Sequence, residues 1–285
     1  MNPKLSLAIG IICISFSPIF VKLADASPIS CAFYRIFFSW LCLLPYCLYK
    51  GNLKMAGKDV LLALLGGLIF ASDIAVWNLS LKMISATVST LLANLAPVWV
   101  GLLSYLLFRK KSGILFWAGT GVAIAGMAIL VGANSLLHLQ FSVGLVYAVA
   151  ASLLYSIYIL ITKDVLQRVG TVPFMFYNTL AASIFLLIIS SMLGESLSHY
   201  NINTWLYFAG MGIICQLVGW ITINYAISRL ETTRVALVLL SQTVIAGLLA
   251  VWLLHETLAF KEIAGSIIVL AGIAITFFKP KTALI

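Results

Sequence analysis

Apolar residues in this chain do not alternate with polar ones; they run in stretches of about 20 residues separated by short polar connections. Alternation would mark the strands of a β-barrel, and a single apolar stripe would mark a helix at a water-exposed surface. A stretch of roughly 20 residues rising about 1.5 Å each matches a hydrocarbon core of about 30 Å. The pattern therefore predicts an all-α polytopic membrane protein. Ten transmembrane helices follow, at about 5–24, 29–49, 59–80, 86–108, 113–131, 141–162, 171–193, 203–227, 232–254 and 260–279, with ends good to roughly 2–4 residues.

Pro28 and Pro173 open predicted helices, where a missing N–H costs nothing. Pro18, Pro45 and Pro97 fall inside spans and are expected to kink them or free carbonyls. The first stretch has some marks of a signal peptide: Lys4, an apolar run, then Ala24-Asp25-Ala26. It is read as a span because of its length, its internal Ser15, Ser17 and Pro18, and its counterpart later in the chain.

Charged residues make up 9% of the chain, against about 25% in a soluble domain, too few to wet a globular surface. The formal charge of +9 sits singly or in short groups between apolar runs, which argues for topology determinants and against nucleic-acid binding. With the N-terminus inside, thirteen of the 17 Lys and Arg residues fall on inner segments; Lys22, Lys82 and Lys261 are outer, and Arg35 lies within a span. Both termini are thus expected to be cytoplasmic, in a bacterial inner (plasma) membrane. Cys13, Cys31, Cys42, Cys47 and Cys215 all lie in apolar runs without a C-x-x-C pair, and His138, His199 and His255 are scattered near span ends. Neither disulfides nor a metal site is expected, and no cofactor.

The two halves repeat. Shifting the first by 146 residues lays Gly101, Gly119 and Gly126 on Gly247, Gly265 and Gly272, and Asn78 on Asn224. A shift of 141 lays Lys22 on Lys163 and Ser15 on Ser156. Each half, 1–135 and 136–285, holds five predicted spans, so the halves enter the membrane from opposite sides. The loop charges agree: Arg109-Lys110-Lys111 faces inward, whereas its counterpart from His255-Glu256 to Lys261-Glu262 is net acidic and faces outward. Two inverted five-helix repeats let one rocking machine open to either side around a midplane site, the pattern of a transporter.

Two ionisable residues lie well within spans. Arg35 is about six residues, roughly 9 Å, below the outer boundary of the second span, and Asp73 is at matching depth in the third. An isolated charge there costs at least about 2.5–3.5 kcal/mol, so the two are expected to pair or to share a wet cavity. Such an intramembrane ion pair is either a clamp between helices or the seat of a coupled proton, with Asp73 titrating. Trp77 and Ser80 follow Asp73 on one helical face. The fourth span carries Thr87, Thr90, Asn94, Pro97 and Gly101 along a stripe that must face protein or water. Hydroxyl residues such as Thr87 and Thr90 are ordinary interhelical glue, whereas Asn94, at the depth of the charges, is read as lining the cavity. In the second half, Tyr155 and Tyr158 on the sixth span, Gln216 and Trp220 on the eighth, and Gln242 on the ninth complete the candidate substrate site. Tyr155, Trp77 and Trp220 are deep enough to stack on an organic solute rather than anchor at the interface. The Gly-rich fifth and tenth spans suit close helix packing.

These residues resemble the drug/metabolite transporter superfamily, EamA type, over nearly the whole chain. The resemblance rests on Phe33-Tyr34-Arg35-Ile36-Phe37-Phe38, on Asp73 with Trp77 and Ser80, on Leu91-Leu92-Ala93-Asn94-Leu95-Ala96-Pro97, and on the Gly-rich fifth and tenth spans with Glu256. It implies ten helices around a central cavity built from the first, third, fourth, sixth, eighth and ninth, and transport, mostly outward, of amino acids, nucleosides, related metabolites or drugs. This sequence departs from the family at Arg109-Lys110, where many relatives carry a glutamate matching Glu256, so Glu256 is assigned to a helix end rather than the site.

The expected function is secondary active transport of a small-molecule substrate, most simply export of amino acids or related metabolites, with proton coupling as an option. An uptake exchanger for a nucleoside-type metabolite is the runner-up. A membrane-embedded enzyme is the alternative from another class, and it fits poorly because the acidic residues are dispersed. No P-loop appears, and no charged ring or carbonyl filter marks a channel. The bilayer and the substrate are the expected partners, the chain acting as a monomer.

Overall fold

In the computed structural model, residues 1–51, 53–84, 89, 92–109, 112–131, 142–254 and 259–276 are described; Thr87, Thr90, Lys110, Lys111 and Glu256 lie outside them. The described residues form helices joined by short connections, with no strand among them. Seven helical stretches are long and apolar enough to cross a membrane, and three shorter apolar helices accompany them, at Ala96–Phe108, Ile114–Ile129 and Ile263–Ile275. Large apolar side chains such as Leu61, Leu106, Ile188, Leu206, Trp252 and Ile267 are exposed on helix after helix. On a monomer in water so much exposed apolar surface would be anomalous; facing acyl chains it is expected.

The first stretch is two helices, α1 (Pro3–Ser15) and α2 (Ser17–Leu23), interrupted at Phe16 just ahead of Pro18. Next come α3 (Pro28–Lys50), α4 (Gly57–Met83), α5 (Ala96–Phe108) and α6 (Ile114–Val131). Asn94 and Leu95 form a tight turn ahead of α5, with Pro97 in its first turn and the Leu95 N–H bonded back to the Leu92 carbonyl. Pro18 and Pro97 thus act at interruptions, as expected. Pro45 lies within α3, which continues past it to Lys50 without an interruption.

The second half runs α7 (Val143–Arg168), α8 (Thr171–Met192), α9 (Ile202–Gly210), a π-helical segment (Met211–Gly219), α10 (Trp220–Arg229), α11 (Thr232–Val238), α12 (Ser241–Leu254) and α13 (Phe260–Ile275). Two features have no proline to announce them. The π segment winds more widely than its α flanks, with glycines at 210, 212 and 219 offering little resistance. The turn at Leu239–Leu240 parts α11 from α12 through i→i−3 bonds, Leu240 to Leu237 and Gln242 to Leu239.

A large core joins α1, α3, α4, α7, α8 and the π segment with its flanks, while α6 and α13 pack on each other beside it. That second pairing depends on glycine. A Cβ on Gly119 would stand 2.5 Å from the Gly272 carbonyl oxygen, and one on Gly272 would stand 2.5 Å from the Ala123 nitrogen. The two backbones touch, as the small-residue pattern of these stretches predicts.

Candidate functional site

Arg35 sits one-third along α3 and turns its guanidinium toward the π segment. Its Nε donates to Gln216 Oε1 at 2.9 Å, and its Nη1 donates to Ser17 Oγ at 3.0 Å, at the start of α2. Gly212 makes this approach feasible, since its Cα faces the Arg35 carbonyl and the Phe38 Cβ with no room for a side chain. The π winding then brings Gln216 round to the guanidinium. Gln216 is 1% exposed, so its amide oxygen is paired where water does not reach it.

Asp73, on α4, is half-buried and makes no hydrogen bond or ion pair among the described residues. Its charge acts on Arg35 through space, and the Tyr155 hydroxyl lies in the field of both. The contact expected from their equal depth is therefore not a bonded clamp. Arg35 takes neutral partners, because a polar acceptor on the π segment and a hydroxyl at the α1–α2 interruption lie nearer to its reach. The two opposite charges are close enough to influence each other but are not bonded.

An aromatic wall adjoins the charges. Trp220 is perpendicular to Tyr155 at 6.2 Å between ring centroids and packs on Tyr158 at 5.7 Å and on Phe70 at 4.8 Å. Phe70 lies one turn before Asp73 on α4, a spacing that could have flagged it from sequence. Tyr158 is fully buried and its hydroxyl donates to Asn224 Oδ1 at 3.4 Å, so it backs the wall rather than facing a ligand. Tyr155 is half-buried, in contrast. The indole N–H groups of Trp77 and Trp220 are buried without an acceptor. A buried donor left unmade is costly.

Asn94 and Gln242, the remaining candidates, stand at the two interruptions. Asn94 Nδ2 reaches Thr243 Oγ1 at 3.5 Å, so the turn ahead of α5 meets the turn ahead of α12. Ser15 Oγ, at the end of α1, donates to the Gln242 carbonyl at 3.3 Å. Three interrupted stretches therefore converge. Ser17, Phe70 and Thr243 were absent from the sequence-derived site; Arg35, Asp73, Trp77, Asn94, Tyr155, Tyr158, Gln216, Trp220 and Gln242 were in it.

Interrupted apolar helices with polar side chains among them define the class: a polytopic membrane protein. The chain belongs to the EamA-like transporter family, whose model matches residues 4–132 and 142–278. It is 24% identical over 276 residues to the uncharacterized transporter YdfC of Bacillus subtilis, covering 96% of this chain and 90% of that one. It is 26% identical to an uncharacterized transporter of Archaeoglobus fulgidus, covering 98% and 99%. It is 19% identical over 253 residues to an S-adenosylmethionine uptake transporter of Rickettsia felis, covering 89% and 84%. A solved structure described only as a protein crystal structure superposes with a TM-score of 0.82 at 18% identity, over 97% of this chain and 98% of that one. The fold is shared with it.

Proposed function

We propose that this chain is a secondary active transporter that binds a small zwitterionic solute between Asp73 and Arg35 and releases it by alternating access. The observation that carries the reading is that these two charges are not bonded to each other: Asp73 has no bonded partner among the described residues, and Arg35 is held by neutral groups. An α-amino acid carries an ammonium for Asp73 and a carboxylate for Arg35, and each interaction is worth more in a site shielded from water. The half-buried Tyr155 ring and the unpaired Trp77 and Trp220 donors supply a face and hydrogen bonds for the rest of the solute.

The architecture proposed is ten spans in two inverted five-helix repeats, 1–135 and 136–285, with both termini cytoplasmic in a bacterial inner membrane and the monomer as functional unit. Supporting it, the turn at Asn94–Leu95 and the turn at Leu239–Leu240 fall at corresponding places in the two halves and touch through Asn94 and Thr243. Paired interruptions near the midplane are where rocking repeats hold their substrate. Export of amino acids or related metabolites is the leading direction, with Asp73 as the residue able to carry a coupled proton.

A second reading is favoured by the Rickettsia relatives: exchange of a nucleoside-type metabolite. S-adenosylmethionine combines an amino-acid head, a sulfonium and an adenine ring, which would engage the charge pair and the aromatic wall together. The test is a thermal-stability screen of the purified chain against amino acids, nucleosides and S-adenosylmethionine, followed by flux in proteoliposomes. A ligand of the folded state raises apparent stability by mass action. Stabilisation by zwitterions that disappears in Asp73→Asn supports the proposal. Stabilisation that is indifferent to Asp73 and Arg35 overturns it.

A further inference from the structure

A separate cavity of about 350 Å³ opens on the outer surface of the bundle between α1 and the α11–α12 pair. Its walls are apolar, with Leu7 and Ile11 on one side and Val235, Val238 and Ile245 on the other. One end alone is charged, by Lys4, Arg234 and Glu231. From Arg234 to Ile245 the groove follows α11, the turn at Leu239–Leu240 and the start of α12, about 11 residues or roughly 16 Å at 1.5 Å per residue, close to half of a hydrocarbon core of about 30 Å. Its length is that of one leaflet.

We propose that this groove is a binding site for one anionic phospholipid, with an acyl chain along the apolar walls and the phosphate between Lys4 and Arg234. The charges are arranged for that occupant. Glu231 is already engaged on both oxygens, by Arg234 Nε at 2.9 Å and by Thr233 Oγ1 at 3.1 Å. Arg234 has no partner besides Glu231 among the described residues, and the Lys4 ammonium has none among them. Both side chains are exposed at the groove mouth. A zwitterionic lipid offers the same chain but brings a cation to a mouth that is net positive. The site lies between the first and ninth predicted stretches, below the Ser15–Gln242 contact where their interruptions meet, so an occupant bridges two elements that must move apart in a rocking transporter. The inference stands on the membrane reading alone and is independent of substrate and direction.

The experiment is competition of phosphatidylglycerol against phosphatidylcholine for the full chain in detergent, read by native mass spectrometry. The wild type is expected to retain phosphatidylglycerol in preference by about fivefold or more, the factor associated with one basic residue near an anionic headgroup. Lys4→Gln/Arg234→Gln is expected to bring the ratio near unity. Ala8→Trp, which fills the exposed groove wall without touching a charge, is expected to lower retention of both lipids and serves if the charge variant fails to fold. Lys50→Gln/Lys54→Gln removes two basic residues elsewhere and is expected to change nothing. Equal retention of both lipids by the wild type overturns the site. So does an unchanged ratio in Lys4→Gln/Arg234→Gln, full retention in Ala8→Trp, or an equal loss in Lys50→Gln/Lys54→Gln.

Discussion

Arg35 Nε and Gln216 Oε1 are 2.9 Å apart, joined across 181 residues of sequence, and this bond fixes where the positive charge of the site stands. A hydrogen bond to a charged group contributes about 1.5–3 kcal/mol, more than a neutral one. Coupling between Arg35→Ala and Gln216→Leu in a double-mutant cycle is expected in that range, measured by reversible unfolding in detergent. The same cycle on Arg35 and Asp73 is expected to give less than about 1 kcal/mol, because no bond joins them. A larger coupling for Arg35 with Asp73 than with Gln216 would reverse the assignment.

Asp73→Asn is expected to leave stability unchanged or to raise it, since the carboxylate loses no bonded partner and a half-buried charge is removed. Ligand-induced stabilisation and flux are expected to fall by about tenfold or more, the equivalent of about 1.4 kcal/mol of lost binding. Melting curves with and without the best ligand separate the two effects. A variant that melts well below wild type while binding normally would make Asp73 structural.

Trp220→Phe keeps an aromatic ring beside Phe70, Tyr155 and Tyr158 but removes an indole N–H that has no acceptor, together with part of the indole volume. Ligand-free stability is expected to fall by about 1–2 kcal/mol for the lost packing, relief of the unpaired N–H offsetting part of the cavity cost. Affinity for an acceptor-bearing solute is expected to drop several-fold, by about 1 kcal/mol. Titration calorimetry on the variant checks this, and identical affinities would remove Trp220 from the ligand contacts.

Gly272→Ala forces a Cβ to 2.5 Å from the Ala123 nitrogen, in a crossing where both sides are backbone. A loss of about 1–3 kcal/mol is expected, the usual cost of overpacking. Gly121→Ala on the partner helix α6 meets nothing within 4 Å and is expected to be neutral or slightly stabilising. Equal melting of the two variants would mean that α6 and α13 do not cross as described.

Much of the site was legible because lipid punishes polarity. A charge or amide inside an apolar run has to face protein or water, so Arg35, Asp73, Asn94, Gln216 and Gln242 stood out against their neighbours. Phe70 did not, since an aromatic residue in an apolar run carries no such signal. Ser17 was visible as a polar residue, but nothing local tied it to Arg35.

The sequence by itself determined the helices and their placement in a membrane. A run of about 20 apolar residues can satisfy its backbone in hydrocarbon in one way, by forming a helix, and that requirement is local. The close approach of α6 and α13 was likewise written in their glycines. Only the tertiary structure decided the partners. Which helix Arg35 addresses depends on how α3 is rotated and on the π winding that brings Gln216 round. The interruption at Leu239–Leu240, with no proline to announce it, depends on what packs against it. Rotation and register are set by contacts between distant segments, and helices that are apolar nearly all round do not encode them in their own pattern.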